Sequence, residues 1–121
     1  MSLMDLLARS PLRRLTGRHT AILHYTAPRS GRQVELPIWA LPSGDGWLVA
    51  VGQHRKKTWW RAFVRPLPAR LDAGGRLHAV TGEVLTGADR DAALAAYRAA
   101  VPMSRQFTAQ DSPMVRLRRR A

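Results

Sequence analysis

The chain has 121 residues, 45% of them hydrophobic, which suits one domain around a single core. It has no cysteine, which excludes disulfides, thiolate catalysis and cysteine-based zinc sites, and no apolar run of roughly eighteen residues that could form a membrane-spanning helix. Twenty basic against eight acidic residues give +12, so anionic partners are implied: nucleic acid, anionic lipid, or a phosphorylated or carboxylated small molecule.

The plain alternative is compositional. Eighteen of the 20 cations are Arg and Ala is equally frequent, so much of the charge can be solvated surface. MSLMDLLARS carries Asp5 inside its apolar stretch and lacks a basic leader, so it reads as a poor signal peptide. A cytoplasmic location is the expectation.

In chain order, Ser2 can cap a short helix through about Ser10, with Leu3, Leu6 and Leu7 on one face, before Pro11 ends it. HTAILHYT (19–26) has the β-branched and aromatic content of a strand, and PRSGR (28–32) reads as a turn. QVELPIWAL (33–41) alternates Val34, Leu36 and Ile38 against Glu35, Pro37 and Trp39. Pro37 donates no hydrogen bond, so this strand belongs at an edge, at a bulge or beside a ligand. PSGDG (42–46) is a hairpin turn, and WLVAVG (47–52) reads as a strand buried on both faces.

Gln53 to Lys57 form a loop, after which Thr58 can cap one or two helical turns through Val64. Residues 67–85 read as a hairpin turning at Gly74-Gly75. DRDAALAAYRAAV (89–101) is the clearest helix, with acids in its first turn, Leu94, Tyr97 and Val101 on one stripe, and Pro102 beyond its end. The alternation in PMVRLRRR (113–120) predicts a last strand. The order is α+β with mostly antiparallel neighbours and no linker, hence one domain over 1–121, and a small barrel best removes the sheet edges.

Side-chain constellations for catalysis are scarce. His19, His24, His54 and His78 never fall at metal-binding helical spacing, so no metal site is expected. There is no G-x-S-x-G, no Walker loop and no G-x-G-x-x-G, and no acid pair stands out among Glu35, Asp45, Asp72 and Glu83. No catalytic side chain is assigned. Reactive atoms would then come from a bound cofactor, with the protein binding and orienting it.

Two loops suit an anionic cofactor. PRSGR offers Arg29, the Ser30 hydroxyl and Gly31, where backbone can approach an anion closely. HRKKTWW places Arg55, Lys56 and Lys57 before a helix start. Between them Pro37-Ile38-Trp39 and Val51-Gly52 form an apolar floor. Two adjacent tryptophans, Trp59 and Trp60, cannot share one core direction, so one packs inward and the other bounds something else. An ordinary turn, a solvated loop and core tryptophans remain the alternative.

The R-x-SGR turn with its following Pro-apolar-aromatic triplet, the DG hairpin leading into a short apolar strand, and the Trp pair after a polar loop occur in that order. Together they resemble the deazaflavin-dependent nitroreductases and quinone reductases of the flavin/deazaflavin oxidoreductase superfamily, over roughly Leu15 to Leu85. The resemblance implies a split β-barrel of the FMN-binding type with short flanking helices, the barrel occupying 16–120. It implies coenzyme F420, or FMN as the alternative, and hydride transfer to an electron-poor acceptor such as a quinone or nitro compound.

By motif position Arg29, Ser30 and Gly31 would meet the cofactor's tail and phosphate. Pro37, Ile38 and Trp39 would lie along the ring, and Val51, Gly52 and Gln53 at its polar edge. Lys57, Thr58, Trp59, Trp60 and Arg61 would form a wall. The chain departs from the family pattern at Pro28, Val34, Glu35 and Ala62.

Two other functions compete: a basic binding module for nucleic acid, motivated by Trp beside Arg and Lys, and a barrel binding a lipid or fatty acid without redox activity. Residues 1–15 interleave leucines with Arg9, Arg13 and Arg14, which suggests peripheral membrane contact beside a core-packing role. A homodimer is a further expectation.

Overall fold

The computed structural model describes residues 19–120. The expected helix over 2–10 and the membrane-facing segment 1–15 lie outside the described residues. Seven strands form one antiparallel sheet: β1 (Thr20–Thr26), β2 (Gln33–Trp39), β3 (Leu41–Ser43), β4 (Gly46–Ala50), β5 (Leu67–Ala73), β6 (Arg76–Val84) and β7 (Met114–Arg119). Their spatial order is β2-β1-β5-β6-β7-β4-β3.

That order dictates the shape. Strands β2 and β3 sit at opposite edges of the sheet, yet only Ala40 separates them in sequence. Two residues of extended chain reach about 7 Å, so the edges must come together there and the sheet must curl upon itself. The amide of Ala40 is held at that crossing by the His19 carbonyl at 2.8 Å. The result is a split barrel: joined at Ala40 and parted along the rest of the β2–β4 side. Residues 33–41 are therefore two strands rather than the one expected, because a continuous strand could not serve both edges.

The edge position of Pro37 is as its missing N–H requires, and Pro42 lies on the other edge strand. Pro68 stands in β5 at a point paired to β6, beyond the three residues of β5 that pair with β1.

Two cores follow from the period-two pattern. Ala21, Leu23 and Tyr25 of β1, Val49 of β4, Leu71 of β5 and Leu117 of β7 fill the barrel interior around Phe63. The opposite face of β4 and β7 presents Leu48 and Met114 to helix α1 (Gly87–Ala100), whose Ala93, Leu94 and Tyr97 form its buried stripe. Strand β4 is covered on both faces, as its near-continuous apolar run predicts. Helix α1 begins two residues earlier than its acid-rich first turn suggests and ends at Ala100, one residue short of the expected Val101, with Pro102 beyond its end as expected.

Residues Trp59–Phe63 form a single 3-10 turn, and the Thr58 side chain makes no capping hydrogen bond. A second 3-10 turn spans Pro102–Gln106, a stretch without an expectation. Among the described residues no helix is long and apolar enough to cross a membrane.

Candidate functional site

The parted side of the barrel is a cavity of about 630 Å3, within the range of small-molecule and cofactor sites. One wall is the C-terminal half of β2, Leu36 to Trp39. The opposite wall is the end of β4 and the chain beyond it, Val49 to Gln53. Lys57, Thr58 and Trp59 extend the lining beyond β4, and Tyr97, Ser104, Phe107 and Thr108 complete it from helix α1 and the chain after it, with Thr20 beside Trp39.

Nine of the predicted site residues therefore meet around one space: Pro37, Ile38, Trp39, Val51, Gly52, Gln53, Lys57, Thr58 and Trp59. The structure answers the question posed by the tryptophan pair. Trp59 lines the cavity and stands edge-on to Phe63 at 6.1 Å. Trp60 is outside it; its indole N–H donates to the Lys57 carbonyl at 3.0 Å and the Arg61 guanidinium lies over its ring at 5.7 Å. Arg61 is exposed and also outside the lining.

Arg29, Ser30 and Gly31 do not join the cavity. They form the exposed tip of the β1–β2 hairpin, whereas the cavity takes the hairpin's other end, where Thr20 faces Trp39. From Leu36 to Gly31 is five residues, roughly 17 Å of strand at about 3.3 Å each. The Gly31 amide is also occupied, donating to the Ala27 carbonyl at 2.9 Å, while the Ser30 hydroxyl accepts from the Arg32 amide at 3.3 Å. Gly31 sits at φ +73, so its role here is to make the turn.

The rim is tied across the opening. Gln53 donates its amide to the Phe107 carbonyl at 3.3 Å, and the Gln53 carbonyl accepts from the amides of Lys56 and Lys57 at 2.9 and 3.0 Å. Gln53 has φ +52, a left-handed conformation that no other non-glycine among the described residues adopts. Gly52 beside it makes room for the facing loop: a Cβ there would lie 3.1 Å from the Phe107 carbonyl oxygen. His54, partly buried, and Arg55, exposed, both approach the solvent-facing carboxylate of Asp111, at 3.5 and 3.6 Å; the exposed Arg55 pairing is of small energetic worth.

Chemically the lining is apolar with a few hydroxyls. Lys57 is the one charged residue among those that line it, and no carboxylate does. The described residues include no group of three potential metal ligands. Ser104 Oγ is buried in the wall without a hydrogen-bond partner, while the Ser104 carbonyl accepts from Thr108 Oγ1 at 2.8 Å. Tyr97 is buried at the cavity's end and donates its hydroxyl to the Trp39 carbonyl at 3.0 Å. Burial pushes its phenol well above the ordinary value of 10.0, against a backbone hydrogen bond from Ala50 that lowers it.

At neutral pH the phenol is protonated, with its proton engaged by the Trp39 carbonyl. The arrangement can grip a flat apolar body between Trp39, Pro37 and Trp59 and offer it few, fixed polar contacts.

Sequence reasoning read Thr20, Leu36, Val49 and Ala50 only as strand residues, and it missed Tyr97, Ser104, Phe107 and Thr108. Tyr97 was legible only as part of the helix's apolar stripe. The other three lie in a segment with no periodic pattern, and Phe107, 43% exposed, reaches the site by standing edge-on to Trp39 at 5.7 Å.

No protein-family model matches this chain, and no curated protein does either. Solved structures do match. A structure of an F420-H2 dependent reductase (FDR-A) is 14% identical, covering 83% of this chain and 94% of its own, with a TM-score of 0.68. A domain-swapped dimer is 15% identical over 96% of this chain and 99% of its own, at 0.67. An FAD-binding protein from Mesorhizobium loti is 13% identical over 100% and 90%, at 0.58. At such identities the likeness is one of fold: the chain is a split barrel of the FMN-binding type, as the motif order implies.

Proposed function

We propose that this chain is an F420-dependent oxidoreductase that delivers a hydride to an electron-poor small molecule such as a quinone or nitro compound. The observation that carries the reading is the meeting of three separate sequence motifs, Pro37-Ile38-Trp39, Val51-Gly52-Gln53 and Lys57-Thr58-Trp59, around one apolar slot. The fold likeness to an F420-H2 dependent reductase supports it, and the FAD-binding neighbour supports a flat tricyclic ligand more generally.

The residues present fit such a group. The slot has aromatic walls, lacks carboxylates that would repel an anionic cofactor, and holds an unpartnered buried hydroxyl at Ser104. Trp39, Pro37 and Trp59 would hold the ring, Gln53 and the adjoining backbone its polar edge, and Lys57 its phosphate. Arg55 and Lys56, exposed beside Lys57, extend the positive charge outward for the acidic tail. Arg29 and Arg32 lie too far along the hairpin to touch the ring and would serve only the distal tail.

When bound, the reduced cofactor supplies the hydride. The protein's own contribution would be proximity: it would hold two flat partners face to face, with little required of titrating side chains, and the proton that completes the acceptor's reduction would come from solvent. The likeness to a domain-swapped dimer supports a homodimer.

Equilibrium titration of the full chain with F420, followed by cofactor and tryptophan fluorescence, tests the reading. Saturable micromolar binding is expected, and its absence would overturn it. A parallel FMN titration separates the two ring systems.

A further inference from the structure

The cofactor reading leaves a second basic feature unused. On the other side of helix α1, the helix and the chain that follows it enclose a cleft of about 430 Å3 that shares no lining residue with the first cavity. Three arginines line it, Arg90, Arg98 and Arg105, over an apolar floor that includes Leu94.

The three are not equivalent. Arg90 is fully engaged: it pairs with Asp91 at 2.9 Å and donates to the backbone carbonyls of Gln110 and Ser112, the latter at 3.0 Å. It staples the 110–112 stretch to the helix and pairs with Asp91, the one carboxylate among the described residues that line the cleft. Arg98 and Arg105 have no carboxylate within salt-bridge distance among the described residues. Moreover, Arg98 Nε is buried with no hydrogen-bond partner. A guanidinium nitrogen taken out of water and left unbonded is unfavourable until an acceptor reaches it.

We propose that this cleft is a binding site for a phosphate monoester, distinct from the cofactor slot, with Arg98 and Arg105 as the two recognition forks. Guanidinium groups match phosphate oxygens in pairs. Two uncompensated cations balance the charge of about −1.5 to −2 that a phosphate monoester carries at neutral pH, whereas a single carboxylate balances one. Ala95, exposed in the cleft, provides the small apolar surface on which the organic part rests.

The test observes the Arg98 Nε–H resonance directly by NMR in the full-length protein while inorganic phosphate, glycerol 3-phosphate or acetate is added. Saturable movement with the two phosphates, and weaker movement with acetate, is expected. Arg98→Lys, which keeps the charge but removes Nε, and Arg105→Gln should each weaken glycerol 3-phosphate binding by roughly tenfold in calorimetry. Lys57→Gln, in the other cavity, should leave the Arg98 response as it is. An Arg98 resonance that phosphate does not move, or glycerol 3-phosphate affinity unchanged from wild type in Arg98→Lys and Arg105→Gln, would overturn the proposal. Because the two clefts share no residue, failure of F420 to bind has no bearing on this result.

Discussion

The hydroxyl of Tyr97 donates to the carbonyl of Trp39 across 3.0 Å, joining helix α1 to the last residue of β2. Trp39 is where the chain leaves one sheet edge for the other, so this bond, beside that of the Ala40 amide to the His19 carbonyl, supports both the closure of the barrel and a wall of the cavity. Tyr97→Phe keeps the ring in its pocket and leaves the carbonyl without its donor. The expected loss is about 1–2 kcal/mol, read as a lower denaturation midpoint in urea at unchanged slope. F420 affinity is expected to fall with it.

The same residue predicts an alkaline limit. Its phenol titrates higher in the folded chain than the ordinary value of 10.0 because burial disfavours the phenolate. A raised folded value favours the protonated, folded form, so the contribution is complete below about pH 10 and is lost as pH rises toward the folded value. Burial raises Tyr25 in the same direction, so the wild type alone does not isolate the effect. The difference between wild type and Tyr97→Phe should be constant up to about pH 10 and shrink above it. A constant difference to higher pH would show that Tyr97 ionises as readily in the fold as outside it.

Two glycines mark where strands and core meet without room for a methyl group. A Cβ on Gly46 would sit 1.9 Å from the Leu117 carbonyl oxygen, and one on Gly82 would sit 2.5 Å from Phe63 Cδ1. The first clash is with backbone in the β4–β7 ladder and cannot be relieved by rotating a side chain. The second is with an aromatic ring that is itself fully buried. Gly82→Ala should cost about 1–3 kcal/mol, the usual range for overpacking, and Gly46→Ala more than that. Thermal unfolding of the two variants ranks them, and the reverse order would contradict the assigned β4–β7 contact.

The difference between what the sequence announces and what it conceals is physical. Strand and helix patterning is local, so Val34, Leu36 and Ile38, the two-faced run of β4 and the stripe of α1 are readable from spacing alone. Pro37 gives away an edge because a missing N–H has meaning only in a ladder. The break at Ala40 is invisible locally, since it follows from which strands become neighbours. The site behaves the same way. Its β2, β4 and Trp59 walls carry distinctive short motifs, whereas Phe107 and Thr108 belong to it only because a non-periodic loop folds back against Gly52 and Trp39. Arg29 to Gly31 look anion-binding in sequence, but in the fold the Gly31 amide is used to build the turn.

The adjacent tryptophans should separate cleanly in a binding assay. Trp59 lines the cavity, and Trp60 is outside it with its N–H on the Lys57 carbonyl. Removing an aromatic wall from a stacked ring costs about 1–3 kcal/mol by analogy with base stacking. Trp59→Ala should therefore weaken F420 by roughly tenfold to a hundredfold. Trp60→Phe keeps the packing, loses one hydrogen bond, and should shift stability by about 1 kcal/mol with little effect on affinity. Equal losses of affinity in both variants would mean that the loop acts as one unit and that Trp59 is not a specific wall.

Gln53 offers a test of strain held at the cavity's edge. Its φ of +52 is costly for any residue with a Cβ, by about 1–2 kcal/mol, and glycine removes that cost while adding roughly 0.5–1 kcal/mol of backbone entropy to lose on folding. Gln53→Gly should thus be neutral to about 1.5 kcal/mol more stable than wild type. Gln53→Ala keeps the strain and removes the same amide, so it should gain nothing in stability. If the side chain contacts the ligand, both variants lose affinity together although their stabilities diverge. If instead the left-handed backbone is what shapes the rim, through the Gln53 carbonyl that receives the Lys56 and Lys57 amides, only the glycine variant loosens the loop and only it binds more weakly. Measuring stability and F420 affinity on the same two proteins distinguishes side-chain recognition from backbone shape.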